Sequence, residues 1–124
     1  MNSVILKCNP ITYYDSSDEE VFFEWLEKIS SVKRFWGEHS ILYIELKTNI
    51  LPDEDLKSFL GLFHRYNIGL KQLAPFLTPE NKYWFFDNKK NFWYSAVFGK
   101  KTSQWPRLDK FSKRLQKRIK KWLP

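Results

Sequence analysis

The stretch 56–66 constrains the fold of this chain most, because its apolar residues repeat at the spacing of a helix. Polar residues fall on the side opposite this apolar face, so we predict an amphipathic helix whose apolar side is buried. Asn67 and Gly69 follow at once, and both residue types tolerate the left-handed conformation that ends helices. The predicted buried face consists of Leu56, Phe59, Leu60, Phe63 and Tyr66, with Leu62 at its edge.

Four short segments have the composition of β-strands. Residues 3–8 and 11–14 are apolar runs separated by Asn9-Pro10, and residues 32–36 and 41–47 flank a turn that contains Gly37. In the last segment, apolar side chains alternate with Tyr43, Glu45 and Lys47, the pattern of a strand with one buried face. We therefore predict a small antiparallel sheet.

Further helices are predicted on both sides of the central one. Residues 16–29 begin with serines and acids, which favour a helix start, and Phe22, Trp25, Leu26 and Ile29 form the predicted buried stripe.

Pro52 and three acids open the central helix. Leu70, Leu73 and Phe76 continue at three-residue steps, and Thr78-Pro79 is a third helix start. For residues 91–98 the pattern fits either helix or strand, and we favour helix. The chain is thus predicted to be α+β and mostly helical.

The positive charge of the chain is confined to its C-terminal segment. Residues 100–124 contain ten Lys or Arg against Asp109, a net charge of +9, whereas residues 1–99 carry −2. We place a boundary here, between an α+β domain (1–99) and a basic linker with an amphipathic helix (100–124). The apolar stripe of that helix is Leu108, Phe111, Leu115, Ile119 and Trp122. Its basic face is Lys110, Lys113, Arg114, Lys117 and Lys121.

Three kinds of partner would suit this basic helix. It has the composition to lie on an anionic membrane, to bind nucleic-acid phosphates, or to pack its stripe on the domain or on another protein. The regular stripe and the defined entry at Trp105-Pro106 favour packing on its own domain. The acidic character of residues 1–99 argues against nucleic acid as the main partner.

Few residues in the sequence are candidates for catalysis. His39 and His64 show no metal-ligand spacing, and no phosphate-binding glycine loop is present. Cys8 lies in an apolar segment, where a cysteine is usually a small buried side chain rather than a nucleophile. We expect no enzymatic activity, no metal and no cofactor. A single cysteine, no signal-peptide core and no transmembrane-length run predict a soluble cytoplasmic protein.

The helix predicted at 16–29 has a carboxylate-rich outer face. Glu20, Glu24 and Glu27 lie opposite the buried stripe, with Phe23 at the margin. One interpretation is an ordinary solvated helix face with an aromatic at its edge. The other is a binding surface in which Phe23 is the apolar anchor among three charges.

Several short stretches between Cys8 and Gly99 resemble a family of small immunity proteins, which are encoded beside bacterial polymorphic toxins and contact-dependent growth inhibition systems. The stretches are Asn9-Pro10-Ile11 with Tyr13-Tyr14, Glu19-Glu20 before Phe22-Phe23-Glu24-Trp25, Leu62-Phe63, Arg65-Tyr66-Asn67-Ile68, Lys71-Gln72-Leu73, Asn81-Lys82 before Trp84-Phe85, Asn88-Lys89-Lys90, Phe92-Trp93 and Val97-Phe98-Gly99. Residues 100–124 lie outside the resemblance.

The resemblance implies an antitoxin that binds a cognate toxin domain in the cytoplasm and blocks its active site. It assigns no contact residues, so the candidate surface comes from the charges. If the toxin is a nuclease, its groove is basic, and the face of Glu20, Phe23, Glu24 and Glu27 would fit it. If the toxin is acidic, the basic tail would be the contact. The alternative function is nucleic-acid binding through that tail.

Overall fold

The computed structural model describes residues 4–99, and the chain divides into two compact units at the Gly69–Leu70 bond. The first unit contains strands β1 (Val4–Cys8), β2 (Val32–Glu38) and β3 (Ile41–Leu46), and helices α1 (Ser16–Glu27) and α2 (Asp53–Arg65). In the second, the described part contains a 3-10 helix (Leu70–Phe76) and two short helices, α3 (Lys82–Phe85) and α4 (Tyr94–Phe98). The α+β class is confirmed. The predicted basic helix lies outside the described residues, and the boundary after residue 99 stays a prediction.

The three strands form one antiparallel sheet in the order β1-β3-β2. The central strand β3 aligns Ile44 with Leu6 on one side and with Phe35 on the other. A two-residue turn, His39-Ser40, joins β2 to β3, and both residues have positive φ (52° and 66°), as in a type I′ turn. The inner face of the sheet contributes Leu6, Cys8, Ile44 and Leu46 to the core, each at most 2% exposed.

Two predictions about strands are corrected. Residues 11–14 are not a strand: β1 pairs only with β3 among the described strands, and residues 11–14 connect it to α1 instead. At the start of α1 the Tyr14 N–H donates to Asp18 Oδ2 at 3.1 Å. Glu45 lies on the outward face as its register predicts, but it is only 6% exposed because neighbouring side chains cover it.

Helix α1 starts and ends slightly differently from the prediction. Its N-cap is Asp15, whose side chain accepts from the Ser17 N–H at 3.2 Å, rather than either serine. It ends at Glu27, and the Ile29 N–H reaches back only to the Leu26 carbonyl, which tightens the last turn. Ile29 is nevertheless buried. Trp25 is half-buried and covers Gly61 of α2, where an added Cβ would lie 3.3 Å from Trp25 Cζ2.

Helix α2 confirms the central sequence prediction. All six residues of the predicted face are buried. The helix ends as its sequence indicates: Asn67 has φ of 59°, and the Ile68 N–H donates to the Phe63 carbonyl at 2.8 Å. The Asn67 N–H donates to the His64 carbonyl, which completes a Schellman ending.

The second unit is organised by aromatic rings. Phe98 of α4 contacts Phe85 and Phe86 edge to face, each at 5.0 Å between ring centroids. The helix start predicted at Thr78-Pro79 is wrong by three residues, because α3 has Asn81 as its N-cap and Thr78 closes the preceding turn instead. Its hydroxyl accepts from the Asn81 N–H, and the Asn81 side chain accepts from the Thr78 N–H at 2.8 Å. The helix itself begins at Lys82. The helical interpretation of residues 91–98 is confirmed for Tyr94–Phe98.

Candidate functional site

Helix α1 presents its carboxylates on the side away from the core. Phe22 and Leu26 are fully buried and fix the rotation of the helix. Because residues three and four apart share one face, this rotation places Glu20, Glu24 and Glu27 together in solvent. Within residues 4–99, none of these three carboxylates forms an ion pair.

Phe23 is held in place at the margin of this face. Its ring stacks on Phe35 of β2 with centroids 5.5 Å apart and an interplanar angle of 28°. It also meets Phe22 edge to face at 5.0 Å. The side chain is half-buried, so part of it stays exposed beside the carboxylates. Phe23 therefore offers an apolar surface whose conformation is already fixed.

The four residues predicted from sequence line one shallow depression of about 360 Å³. Two further residues, Ser16 and Glu19, also line this depression and were not predicted from the sequence. Glu19 precedes Phe23 by four positions, so the helical spacing contained the signal. We call this surface the acidic face; it consists of Ser16, Glu19, Glu20, Phe23, Glu24 and Glu27.

Like charges at this spacing destabilise a helix slightly. Glu20 and Glu24 are separated by four positions, and Glu24 and Glu27 by three, so each pair costs about 0.2–0.5 kcal/mol. The last turn of α1 contains no basic residue to offset them. The acidic face is thus a concentrated negative charge that a cationic partner would neutralise.

A second, more polar pocket of about 290 Å³ lies between the 9–14 segment, α1 and the C-terminal end of α2. Its lining is Asn9, Pro10, Thr12, Tyr14, Asp18, Arg65, Tyr66 and Asn67. The Tyr66 hydroxyl donates to the Asp18 carbonyl at 3.3 Å. Burial, followed by the Asp18 contact, raises the pKa of Tyr66. Nearby, burial and then Glu19 raise the pKa of Tyr13 to about 12.

The candidate catalytic residues do not form a constellation in the described part of the chain. Cys8 is fully buried, and burial raises the pKa of its thiol to about 12, which fits the small buried side chain expected. His39 is exposed in the β2–β3 turn, and His64 is exposed on α2. Across residues 4–99, no group of three or more His, Cys, Asp or Glu is placed to hold a metal ion.

The five basic residues predicted as tail contacts (Lys110, Lys113, Arg114, Lys117 and Lys121) lie outside the described residues. Among the helices of residues 4–99, none combines the length and the apolar content that crossing a membrane requires. No family model, curated protein or solved structure matches the chain.

Proposed function

We propose that this chain is an immunity protein that binds a toxin domain in the cytoplasm and neutralises it by covering its active site. In this proposal the protein performs no reaction of its own and needs no cofactor. The observation that carries it is the acidic face, where Glu20, Glu24 and Glu27 surround a half-exposed Phe23. The resemblance of residues 8–99 to immunity proteins supports the same conclusion.

The acidic face suits a partner with a basic groove. Carboxylates that form no ion pair within the described part of the chain attract such a groove at long range, which speeds association. Phe23, already fixed by its contact with Phe35, loses little conformational freedom when it is covered. A nuclease domain has a groove of this kind, because it must hold nucleic-acid phosphates. We therefore propose a nuclease toxin as the partner.

The test is co-expression with the toxin domain encoded next to this chain, followed by co-purification and a growth assay. We expect the wild-type chain to bind the toxin and to protect cells that produce it. If the folded chain neither binds nor protects, the immunity proposal is wrong.

Charge reversal locates the contact on the chain. Glu24→Lys should weaken toxin binding by about tenfold or more, mainly by slowing association at low salt. Glu54→Lys is the matched control, because Glu54 is an exposed carboxylate of α2 outside the acidic face. Equal affinity of the two variants, with wild-type protection intact, would place the contact elsewhere while leaving the immunity function standing.

Deletion of residues 100–124 separates this function from nucleic-acid binding through the tail. The truncated chain should bind the toxin as tightly as the full chain if the acidic face is the contact. Nucleic-acid binding would instead appear as a mobility shift of the full chain that weakens steeply with salt and disappears on truncation.

A further inference from the structure

The two units of the chain have net charges of opposite sign. Residues 1–69, the first unit, contain seven Lys or Arg against eleven Asp or Glu, a net charge of −4. Residues 70–124, the second unit, contain fourteen Lys or Arg against three Asp or Glu, a net charge of +11. The second unit therefore attracts an anionic partner, whereas the same partner repels the first unit.

Three aromatic side chains of the second unit form a cluster at its surface. The Trp84 and Trp93 rings meet edge to face with centroids 6.0 Å apart, and Phe92 meets Trp93 in the same way at 5.0 Å. Phe92 is 53% exposed, and both tryptophans are half-buried. We call this cluster the aromatic patch; it consists of Trp84, Phe92 and Trp93.

Hydrogen bonds hold the aromatic patch in a fixed arrangement. Trp93 Nε1 donates to the Phe85 carbonyl at 3.2 Å, and Asn91 Nδ2 donates to the Trp84 carbonyl at 3.0 Å. These bonds tie the residues before α4 to the C-terminal end of α3. A ring that is already fixed in this way loses little conformational freedom when a partner covers it.

Two lysines lie in the turn between α3 and the exposed ring of the patch. Lys89 and Lys90 are both exposed, and the Lys90 N–H donates to Asn88 Oδ1 at 3.0 Å, which fixes the turn. Phe92 follows Lys90 by two residues, so their Cα atoms lie at most about 7 Å apart. The patch thus combines an apolar ring with neighbouring positive charge.

The remaining charges of residues 70–99 do not reverse this sign. Lys82 Nζ lies 2.7 Å from Asp87 Oδ1, so these two charges neutralise each other. Glu80 precedes α3, at the end of the helix opposite to the turn, and Lys71 offsets it in the net count. The net charge of this stretch is therefore +2, which equals the charge of the two lysines in the turn.

The described part of the chain ends close to the aromatic patch. Trp93 is the N-cap of α4, a helix of five residues, and Gly99 is its C-cap. At 1.5 Å per helical residue, Gly99 lies within about 11 Å of Trp93. The sequence that follows, residues 100–124, carries a net charge of +9. A partner that touches the patch is therefore within reach of that charge.

We propose that the second unit binds the surface of an anionic lipid bilayer, and that the aromatic patch inserts among the lipid headgroups. Tryptophan and phenylalanine suit the boundary between headgroups and acyl chains, and lysines beside them attract the lipid phosphates. Phe92 exposes an apolar ring that has no polar atom, so it gains free energy when it leaves water. The positive charge that follows Gly99 adds attraction at longer range.

Single-stranded nucleic acid is another anionic partner that uses aromatic rings, and it fits the patch less well. Bases stack on ring faces, so a run of stacked bases needs neighbouring rings of similar orientation. The Trp93 ring is instead nearly perpendicular to both neighbours, at 83° to Trp84 and 84° to Phe92. A fluid bilayer surface makes no such demand on the orientation of the rings.

Membrane binding is separate from the neutralisation of a toxin. The acidic face belongs to the first unit, and the aromatic patch belongs to the second. An anionic bilayer attracts the second unit and repels the first, so the two surfaces serve different partners. The proposal therefore stands or falls independently of the immunity function.

The experiment is co-sedimentation of the full chain with lipid vesicles. Vesicles of equal parts phosphatidylglycerol and phosphatidylcholine should bind the chain, and added salt should weaken this binding because it screens the charges. Vesicles of phosphatidylcholine alone should bind far less of it. A chain that does not sediment with the anionic vesicles, or that binds both kinds of vesicle equally, would overturn the proposal.

A substitution of the exposed ring tests whether the aromatic patch is the contact. Phe92→Ser should weaken binding to the anionic vesicles by about tenfold, because the apolar ring that enters the bilayer is lost. Ile50→Ser is the matched control, since Ile50 is an apolar residue of the first unit that is equally exposed, at 50%. It should bind the vesicles as the wild type does.

The lysines of the turn provide a second variant. Lys89→Gln/Lys90→Gln should weaken vesicle binding by about tenfold or more, since each lysine near an anionic surface contributes about fivefold. It changes exposed side chains only, so it keeps the test decisive if Phe92→Ser does not fold. Lys28→Gln/Lys47→Gln removes two exposed lysines of the first unit and should have little effect.

Two results with these variants would contradict the proposal. Folded patch variants, checked by circular dichroism, that bind the anionic vesicles as tightly as their controls would show that the patch is not the contact. Patch variants that lose binding to single-stranded DNA but keep their binding to vesicles would identify nucleic acid as the partner of the patch instead.

Discussion

Asp55 illustrates how a single buried carboxylate can hold two segments of the first unit together. It lies in the first turn of α2 and is 5% exposed. Its Oδ2 accepts from the Ser31 N–H at 3.0 Å, from the Ser30 hydroxyl at 2.9 Å and from the Ser31 hydroxyl. These bonds fix the connection between α1 and β2 against the start of α2.

Replacing Asp55 should therefore destabilise the protein strongly. Asp55→Ala leaves buried donors of Ser31 without a partner, and we expect the free energy of unfolding to fall by about 2–4 kcal/mol. Asp53→Ala, an exposed acid of the same turn, should cost less than about 1 kcal/mol. Urea unfolding curves of the two variants measure the difference. Similar losses would mean that Asp55 acts only as a helix-start charge.

Among the elements, the β2–β3 hairpin contains residues that its geometry does not favour. His39 and Ser40 both have positive φ in the two-residue turn, where glycine or asparagine is the usual choice. Ser40→Gly should therefore raise the free energy of unfolding by about 0.5–1 kcal/mol. Thermal unfolding monitored by circular dichroism provides the measurement. Ser58→Gly within α2 is the control with opposite sign, since glycine destabilises a helix interior. A lower melting temperature for Ser40→Gly would contradict this account of the turn.

The elements that could be predicted from sequence are those whose signal is local. Helix α2 has a strong 3.6-residue period and a stop at Asn67, and its buried face was predicted correctly. The three-residue steps of 70–76 became a 3-10 helix, which has the same period. The strand predicted at 11–14 is wrong because its composition suits a strand, whereas pairing with the rest of the sheet decides whether a strand forms.

The acidic face and the contact between Arg34 and Glu45 differ in the same way. The four acidic-face residues named from sequence share one helix, and a single period was enough to group them. The contact of Arg34 with Glu45 joins two strands across a bulge, and no spacing along the chain encodes that register. The burial of Glu45 was missed for this reason.

At the scale of the whole molecule, alkaline pH should destabilise the fold. Burial raises the pKa of Cys8 from 9.0 to about 12, and burial with Glu19 raises that of Tyr13 from 10.0 to about 12. Between about pH 9 and 12 the unfolded chain releases these protons and the folded chain keeps them. Stability that is fully present below about pH 9 is therefore lost progressively as the pH rises toward 12.

Urea unfolding at about pH 8 and about pH 10.5 tests this dependence. The wild-type free energy of unfolding should fall between the two values, and Cys8→Ala should show a smaller fall even though it is less stable at both. An equal fall in the two proteins would mean that the Cys8 thiol is not responsible.

The position of Cys8 has a practical consequence for work on this molecule. The chain contains one cysteine, whose side chain is fully buried on the inner face of the sheet and whose thiol is protonated at neutral pH. Neither oxidants nor maleimide dyes should reach it while the protein is folded. A cysteine introduced at Val21, which is 47% exposed on α1, would then be the one thiol open to a fluorescent probe or a crosslinker. The native chain therefore already provides the background for site-specific labelling.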